Sequence, residues 1–259
     1  MKNLYKRRTF MLLPAVMAVS TFFGMNTAMA QASGLVIGVA ADITSMDPHF
    51  HLYVPNQNLA EHVFEKLITR DALLQMVPGL ATSWRAVDDL TWEFKLRPNV
   101  KFHDDTPFTA DDVKFSIERV PTIKDSPGAL TTYTKAIAAI EVVDSMTLRF
   151  KTLKPHPLMP NDLSIIPIVS KKAATGAVSA DFNTGKAAVG TGPYKFSRYA
   201  RGDRVELARN DSYWGKKPAW PAVTFRILTN DASRVAALLA GDVQAIDGVP
   251  VYLTVSCKC

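Results

Sequence analysis

Along the chain the apolar positions change period several times, and each change marks an element. Leu35 to Ala40 (LVIGVA) is a short unbroken apolar run, the pattern of a strand buried on both faces. The stretch DITSMDPHFHLYVPN that follows has no period and is punctuated by Pro48 and Pro55, so it is predicted as a loop. From Asn56 the spacing becomes helical, with Leu59, Val63, Phe64 and Leu67 at three- and four-residue steps. LTWEFKLRPNVKF alternates instead. Trp92, Phe94 and Leu96 share one face and Thr91, Glu93 and Lys95 the other, which predicts a half-exposed strand.

In DDTPFTADDVKFSIERV, Thr109 is placed to cap a short helix. Asp111 and Asp112 fall in its first turn, where carboxylates offset the positive end of the helix dipole. Val113 with Ile117, and Phe115 with Arg119, mark its opposite flanks. Ser126-Pro127-Gly128 breaks the chain, and AIEVVDSMTLRFKT then reads as two strands around Asp144-Ser145. A second hairpin pairs YKFSRYA with RVELAR across Arg201-Gly202-Asp203. PAVTFRILT is a strand, Asn230 or Asp231 caps the helix ASRVAALLA, Gly241 ends it, and VQAID is a further strand. Strands and helices alternate with hairpins between them, so the fold class is α/β with a sheet of mixed direction.

The first thirty residues obey a different pattern. Lys2, Lys6, Arg7 and Arg8 form a positive head, an apolar run extends from Phe10 to Phe23, and Ala28-Met29-Ala30 has the small-x-small spacing of a cleavage site. This predicts a secretory signal peptide over residues 1–30, cut between Ala30 and Gln31. The run is shorter than the ~20 residues that span a bilayer. Arg7-Arg8 also fits a twin-arginine leader, leaving the export route open. Without the leader, Lys+Arg falls from 30 to 26 against 24 Asp+Glu, so the net charge drops from +6 to +2. No clustered basic face remains, and no nucleic-acid partner is expected.

Catalytic and cofactor motifs are scarce. The chain has no G-x-S-x-G elbow, no H-E-x-x-H helix and no Walker loop. Gly-Thr-Gly-Pro-Tyr-Lys (190–195) lacks the third glycine of a phosphate loop, and is read as a tight strand entry where Gly190 and Gly192 take backbone angles closed to other residues. His49 and His51 flank Phe50 in a loop without an acidic or cysteine companion at ligand spacing. Asp104-Asp105 and Asp111-Asp112 are explained by turn and cap duty. No metal, cofactor or catalytic residue is therefore assigned. The only cysteines are Cys257 and Cys259, with no partner ligands at metal spacing.

PGLATSWRAVDDLTWEFKLRPNVKFHDDTPFTADDVKFSIERV (78–120) closely resembles the signature of the periplasmic dipeptide/oligopeptide-binding proteins, solute-binding family 5 of ABC importers. SMDPH (45–49), GTGPYKF (190–196), RNDSYWGKKP (209–218) and SRVAALLAGDVQAID (233–247) match further landmarks in order. Asp105 stands where a glycine is usual. The resemblance implies a periplasmic-binding-protein-like fold in which two lobes close on a peptide and present it to inner-membrane ABC permease subunits with cytoplasmic ATPases. It implies a periplasmic monomer rather than an enzyme.

By the same resemblance, residues 31–64 and 170–250 form an incomplete core α/β lobe, and 65–169 an inserted α+β domain. Leu52, Tyr53 and Val54 would border the ligand cleft, with Gly128 and Thr191 near it. Gly128 occupies a place where an aromatic often lines the pocket, leaving ligand size open. Family members run to about twice this length, and the resemblance ceases at Val251. Residues 251–259 are thus expected to be a frameshifted or aberrant tail after the first lobe, leaving binding impaired or lost. Two alternatives stand beside peptide import: a family-5 receptor for nickel, haem or a sugar, and a secreted enzyme with an unrecognised site.

Overall fold

A computed structural model describes residues 34–250. The expected leader with its expected Ala30/Gln31 cleavage point, and the tail carrying Cys257 and Cys259, lie outside the described residues. The first half of the fold runs β1 (Leu35–Val39), α1 (Val54–Val63), β2 (Ile68–Arg70), β3 (Met76–Pro78), β4 (Ala81–Asp88), β5 (Thr91–Leu96) and α2 (Ala110–Arg119). Then come the hairpin β6 (Ile137–Asp144) and β7 (Thr147–Thr152), and the short helices α3 (Met159–Leu163), α4 (Lys171–Ala174) and α5 (Ser179–Asn183). A second hairpin, β8 (Tyr194–Ala200) and β9 (Arg204–Arg209), leads to β10 (Ala222–Ile227), α6 (Asp231–Leu239) and β11 (Ala245–Ile246).

One sheet has the order β11-β1-β10-β9-β8. Its β11, β1 and β10 are parallel, and β9 and β8 continue it antiparallel, so the direction is mixed as predicted. The second sheet, β4-β5-β7-β6, is antiparallel throughout. Each of these two sheets has its own core, and the small β2-β3 pair contributes Ile68 to that of the second. Phe94 and Phe150 meet edge to face at 5.3 Å, within a cluster that includes Leu80, Phe108 and Leu130. Leu59, Val63, Phe64, Phe182 and Leu207 fill the other. Helix α2 lies between the two: Val113 and Ile117 belong to the first cluster, and Phe115 on its other flank packs against the second.

Several sequence expectations need adjustment. β5 pairs with β4 and β7 on both sides, and on the face expected to be exposed Thr91 and Glu93 are buried while Lys95 is exposed. Its Glu93 is tolerated there by Arg85 at 2.8 Å and Arg149 at 2.8 Å, whose hydrogen bonds hold the carboxyl below its ordinary pKa. β4 escapes notice as a strand since only Ala81 of its eight residues is buried. Helix α1 begins at Val54, so Pro55 opens a helix, where its missing N–H costs nothing, instead of punctuating a loop. It also ends at Val63, before Phe64 and Leu67. Asp105, in the position where glycine was expected, has φ 64°, a left-handed value that aspartate accepts more readily than most residues.

Gly190 and Gly192 are needed for a different reason than backbone angle, since neither is among the positive-φ residues. A Cβ on Gly190 would lie 1.9 Å from the Val63 carbonyl oxygen, and one on Gly192 2.6 Å from that of His62. The strand entry is pressed against the end of α1, and both partners are backbone. Gly190→Ala is therefore expected to destabilise the protein by about 1–3 kcal/mol. Gly202→Ala, with open space around it, meets only the strain of φ 74°. Urea unfolding followed by circular dichroism checks the order; equal stability of Gly190→Ala and wild type would refute the close-approach account.

Candidate functional site

Because β1, β10 and β11 are parallel, their carboxyl ends at Val39, Ile227 and Ile246 lie along one edge of the sheet. Open α/β sheets bind ligands at such an edge, beside a point where the chain departs in different directions. The long loop from Ala40 to Tyr53 leaves β1 here. A cavity of about 350 Å³ adjoins it on the α1 side, walled by Ile37, Val39, Leu59, Phe225 and Ile227, with Asp42, Asn58, Glu61, His62 and Asp247 supplying polar atoms. Apolar walls with a few polar groups can enclose an amphipathic solute.

The loop is held by a buried polar cluster. Asp47, 1% exposed, receives both ends of the Arg119 guanidinium, Nη1 to Oδ1 at 2.9 Å and Nη2 to Oδ2 at 2.7 Å. The Ser179 hydroxyl donates to Oδ2 at 2.7 Å and the His49 backbone N–H to Oδ1 at 3.0 Å. Burial alone would raise the Asp47 carboxyl, but hydrogen bonds and charge from Arg119 outweigh it and hold the pKa low. Arg119 also donates to His49 Nδ1 at 3.0 Å, so the His49 proton sits on Nε2 and is given to the Pro167 carbonyl at 2.7 Å. Desolvation depresses the His49 pKa to about 4. Both ring nitrogens are engaged inside the protein, which removes His49 from any metal-binding role. Among the described residues no group of three or more His, Cys, Asp or Glu is arranged to hold a metal.

At the end of the loop, His51 forms a parallel bridge with Gly128, and the Leu52 N–H donates to the Gly128 carbonyl at 2.8 Å. The Ser126 hydroxyl donates to the Phe50 carbonyl. The structure thus gathers Leu52, Tyr53, Val54 and Gly128 at one rim, with Val54 69% exposed and Leu52 40% exposed. Thr191 does not join them. It is fully buried beside the carboxyl end of α1, whereas the rim adjoins the helix's first turn, about 15 Å away along ten residues. Among the described residues the Thr191 hydroxyl has no partner within hydrogen-bond geometry, although it faces Glu65 closely enough to help lower the pKa of that carboxyl.

Glu65 accepts from the Tyr213 hydroxyl at 2.8 Å and from Trp214 Nε1 at 2.7 Å, and Arg97 stands over the Trp214 ring at 4.3 Å. Burial raises the Glu65 pKa against these donors. Arg234, 2% exposed, binds the carbonyls of Leu228, Asp247 and Gly248 and the Asp231 carboxylate, tying the strand that leaves β11 to the head of α6. Sequence reasoning missed Asp47, Arg119, Glu65 and Arg234 as organising residues. No local pattern marks them: Asp47 and Arg119 lie 72 positions apart in sequence, and Glu65 and its partner Trp214 lie 149 apart. As for catalysis, the Thr44 hydroxyl meets His51 Nδ1 at 3.1 Å, but the other ring nitrogen has no carboxylate partner among the described residues, so no triad is assembled.

Residues 75–253 match the bacterial extracellular solute-binding proteins, family 5 (middle region). The chain is 31% identical over 259 residues to the probable D,D-dipeptide-binding periplasmic protein DdpA of Escherichia coli K12, covering 95% of this chain and 49% of that protein. Its fold is similar to that of the ABC transporter-associated periplasmic binding protein DppA from Helicobacter pylori in complex with the peptide STSA, with a TM-score of 0.76, 27% identity, and 86% and 48% of the two chains covered. NikZ from Campylobacter jejuni in complex with Ni(L-His) matches at a TM-score of 0.76 and 27% identity, over 87% and 45%. The chain spans about half the length of the curated relatives it matches. No helix among the described residues is long and apolar enough to cross a membrane.

The anchor makes two predictions. Arg119→Met leaves a buried carboxylate without its counter-ion and is expected to lower stability by about 3–5 kcal/mol in urea unfolding; a loss below 1 kcal/mol would contradict the anchor. The second concerns acid. An unfolded His49 protonates near 6.5 and the folded one only near 4, so stability is lost as pH falls between these values, by on the order of 3 kcal/mol. His103, whose pKa burial also lowers to about 4, adds a loss of the same sign in the same window. Asp47, with its lowered folded pKa, contributes stability above the unfolded value of 3.8 that disappears below it. Melting temperatures from pH 7 to 4 should therefore fall, and less steeply in His49→Gln.

Proposed function

The chain belongs to the bacterial extracellular solute-binding proteins of family 5, and on that premise we propose that it is the solute-binding component of an ABC importer for peptides. The observation that carries this reading is the rim itself. Leu52, Tyr53, Val54 and Gly128 come together where the loop that leaves the carboxyl end of β1 runs into α1, whose Pro55 lines the cavity, in a chain whose relatives include proteins named for dipeptides and a structure holding the peptide STSA. The proposed partners are a peptide ligand, inner-membrane permease subunits and their cytoplasmic ATPases, with the protein working as a monomer in the periplasm after removal of its leader. No catalytic step is assigned, in keeping with relatives named as binding proteins.

The domain division proposed for this function places 31–64 and 170–250 in a core lobe and 65–169 in an inserted domain. Two separate sheets, each with its own apolar cluster, support it. The Asp47–Arg119 pair then joins the lobe to the inserted domain across 72 residues of sequence. A nickel chelate is the second reading, because NikZ with Ni(L-His) shares the fold at the same TM-score as the peptide-bound relative.

Isothermal titration of the full chain with alanine peptides of two to six residues, and separately with nickel–histidine, tests both. Heat with at least one peptide length and none with nickel–histidine is the expected outcome. Heat with nickel–histidine alone would replace the peptide reading, and silence in both arms would remove it.

A further inference from the structure

His51 is set up differently from the two enclosed histidines, His49 and His103, and unlike His62 and His156, which likewise engage one ring nitrogen, it stands in the loop beside Leu52 and Gly128. His49 and His103 have both ring nitrogens occupied within the protein, His49 by Arg119 and Pro167, and His103 by the Gly190 N–H and the Gly192 carbonyl. The half-exposed His51 ring has one nitrogen engaged and no hydrogen bond at Nε2 among the described residues. Its orientation is nevertheless fixed from three sides. The ring stacks on Tyr53 at 5.2 Å and 17°. Nδ1 meets the Thr44 hydroxyl at 3.1 Å, and the ring edge rests over Gly128.

The hydrogen bonds around Thr44 favour one tautomer of His51. Asn56 Nδ2 donates to Thr44 Oγ1 at 2.9 Å, which uses one of that oxygen's two lone pairs and leaves its own hydrogen available to His51 Nδ1. Asn56 is itself locked, its Oδ1 accepting from the Thr44 N–H at 3.0 Å and its Nδ2 also reaching the Ser45 carbonyl at 3.2 Å. A neutral His51 with Nδ1 accepting carries its proton on Nε2. That leaves a directed N–H donor at the rim.

Gly128 completes the arrangement. A Cβ there would fall 2.9 Å from His51 Cδ2 and 3.3 Å from Nε2. The space a side chain at position 128 would take is filled by the His51 ring, arriving from the opposite strand of the bridge. The absence of an aromatic at 128 therefore does not leave the wider pocket that the sequence allowed, since histidine and glycine form a matched pair.

From this geometry we infer that His51 is the specificity-determining residue of the rim, its Nε2–H donating to an acceptor oxygen, carbonyl or carboxylate, of a bound peptide, and that Gly128 positions it. The inference rests on the peptide reading above. His51→Phe keeps a flat ring on Tyr53 but has no donor, and His51→Gln returns an amide N–H close to the Nε2 position. With the alanine peptide that wild type binds most tightly, the expected loss is about tenfold for His51→Phe and under about threefold for His51→Gln. Gly128→Ala should weaken wild type yet cost nothing further in a His51→Ala background, a non-additivity that a general fold defect would not give. Long-range proton–nitrogen spectra of the free protein should show the His51 proton on Nε2, with that resonance moving on peptide addition. Unchanged affinity in His51→Phe, with wild-type melting, overturns the assignment and leaves the peptide reading standing. Silence of wild type toward every peptide overturns both.

Discussion

The Arg119 guanidinium, seated on the Asp47 carboxylate, is the interaction on which the loop, and through it the rim, depends. Two ions removed from water each carry a desolvation penalty of several kcal/mol, which mutual attraction offsets only when the geometry is good and the remaining lone pairs are used. Here both conditions hold. The contact is two-pronged, and Ser179 and the His49 backbone satisfy the rest of the carboxylate. Such a pair adds little net stability over a well-packed apolar substitute. What it adds is position, because a bidentate guanidinium tolerates little displacement. Arg119 closes helix α2, Asp47 sits midway along the loop after β1, and Ser179 opens α5. One ion pair thereby fixes three segments relative to each other.

Around it, apolar packing and polar contacts divide the work. Helix α2 turns Val113 and Ile117 to one core and Phe115 to the other, so burial holds the two sheets against it without selecting a register. The register comes from specific contacts. His103 clasps the Gly190–Gly192 backbone from two directions, and that backbone in turn presses on the end of α1 so closely that no Cβ fits. Glu65, one turn of chain farther on, collects Tyr213 and Trp214. These contacts place the two ends of α1 independently, one through Thr191 and its neighbours and the other through the loop that carries the rim.

The same division accounts for the chemistry of the histidines. Where a ring is enclosed, as at positions 49 and 103, desolvation suppresses its charge and both nitrogens serve the fold. At position 51 the half-exposed ring is supported on one nitrogen, one face and one edge, and the other nitrogen has no hydrogen bond among the described residues. Alternate residues of one short loop thus face inward to an anchor and outward to a prospective ligand. The chain makes this change of direction through a turn, in which the Phe50 N–H donates to the Asp47 carbonyl at 3.1 Å.

What the sequence determined by itself was local or repeated. The period of apolar positions gave β1, α2, both hairpins, β10 and α6 close to their observed limits, and Thr109, Asn230 and Gly241 marked helix ends because capping acts within a turn or two. Ordered motifs gave the family, since they reflect many such local constraints at once. What only the tertiary structure decided was every relation across distance: that β5 is an interior strand with Glu93 under two arginines, that Gly190 meets α1, that Thr191 is buried apart from the rim, and that Asp47 finds Arg119. His49 and His51 look equivalent as letters flanking Phe50. Their partners, at positions 119, 167, 44 and 128, separate an anchor from a donor, and a pairing between distant positions leaves no periodic trace in the chain that forms it.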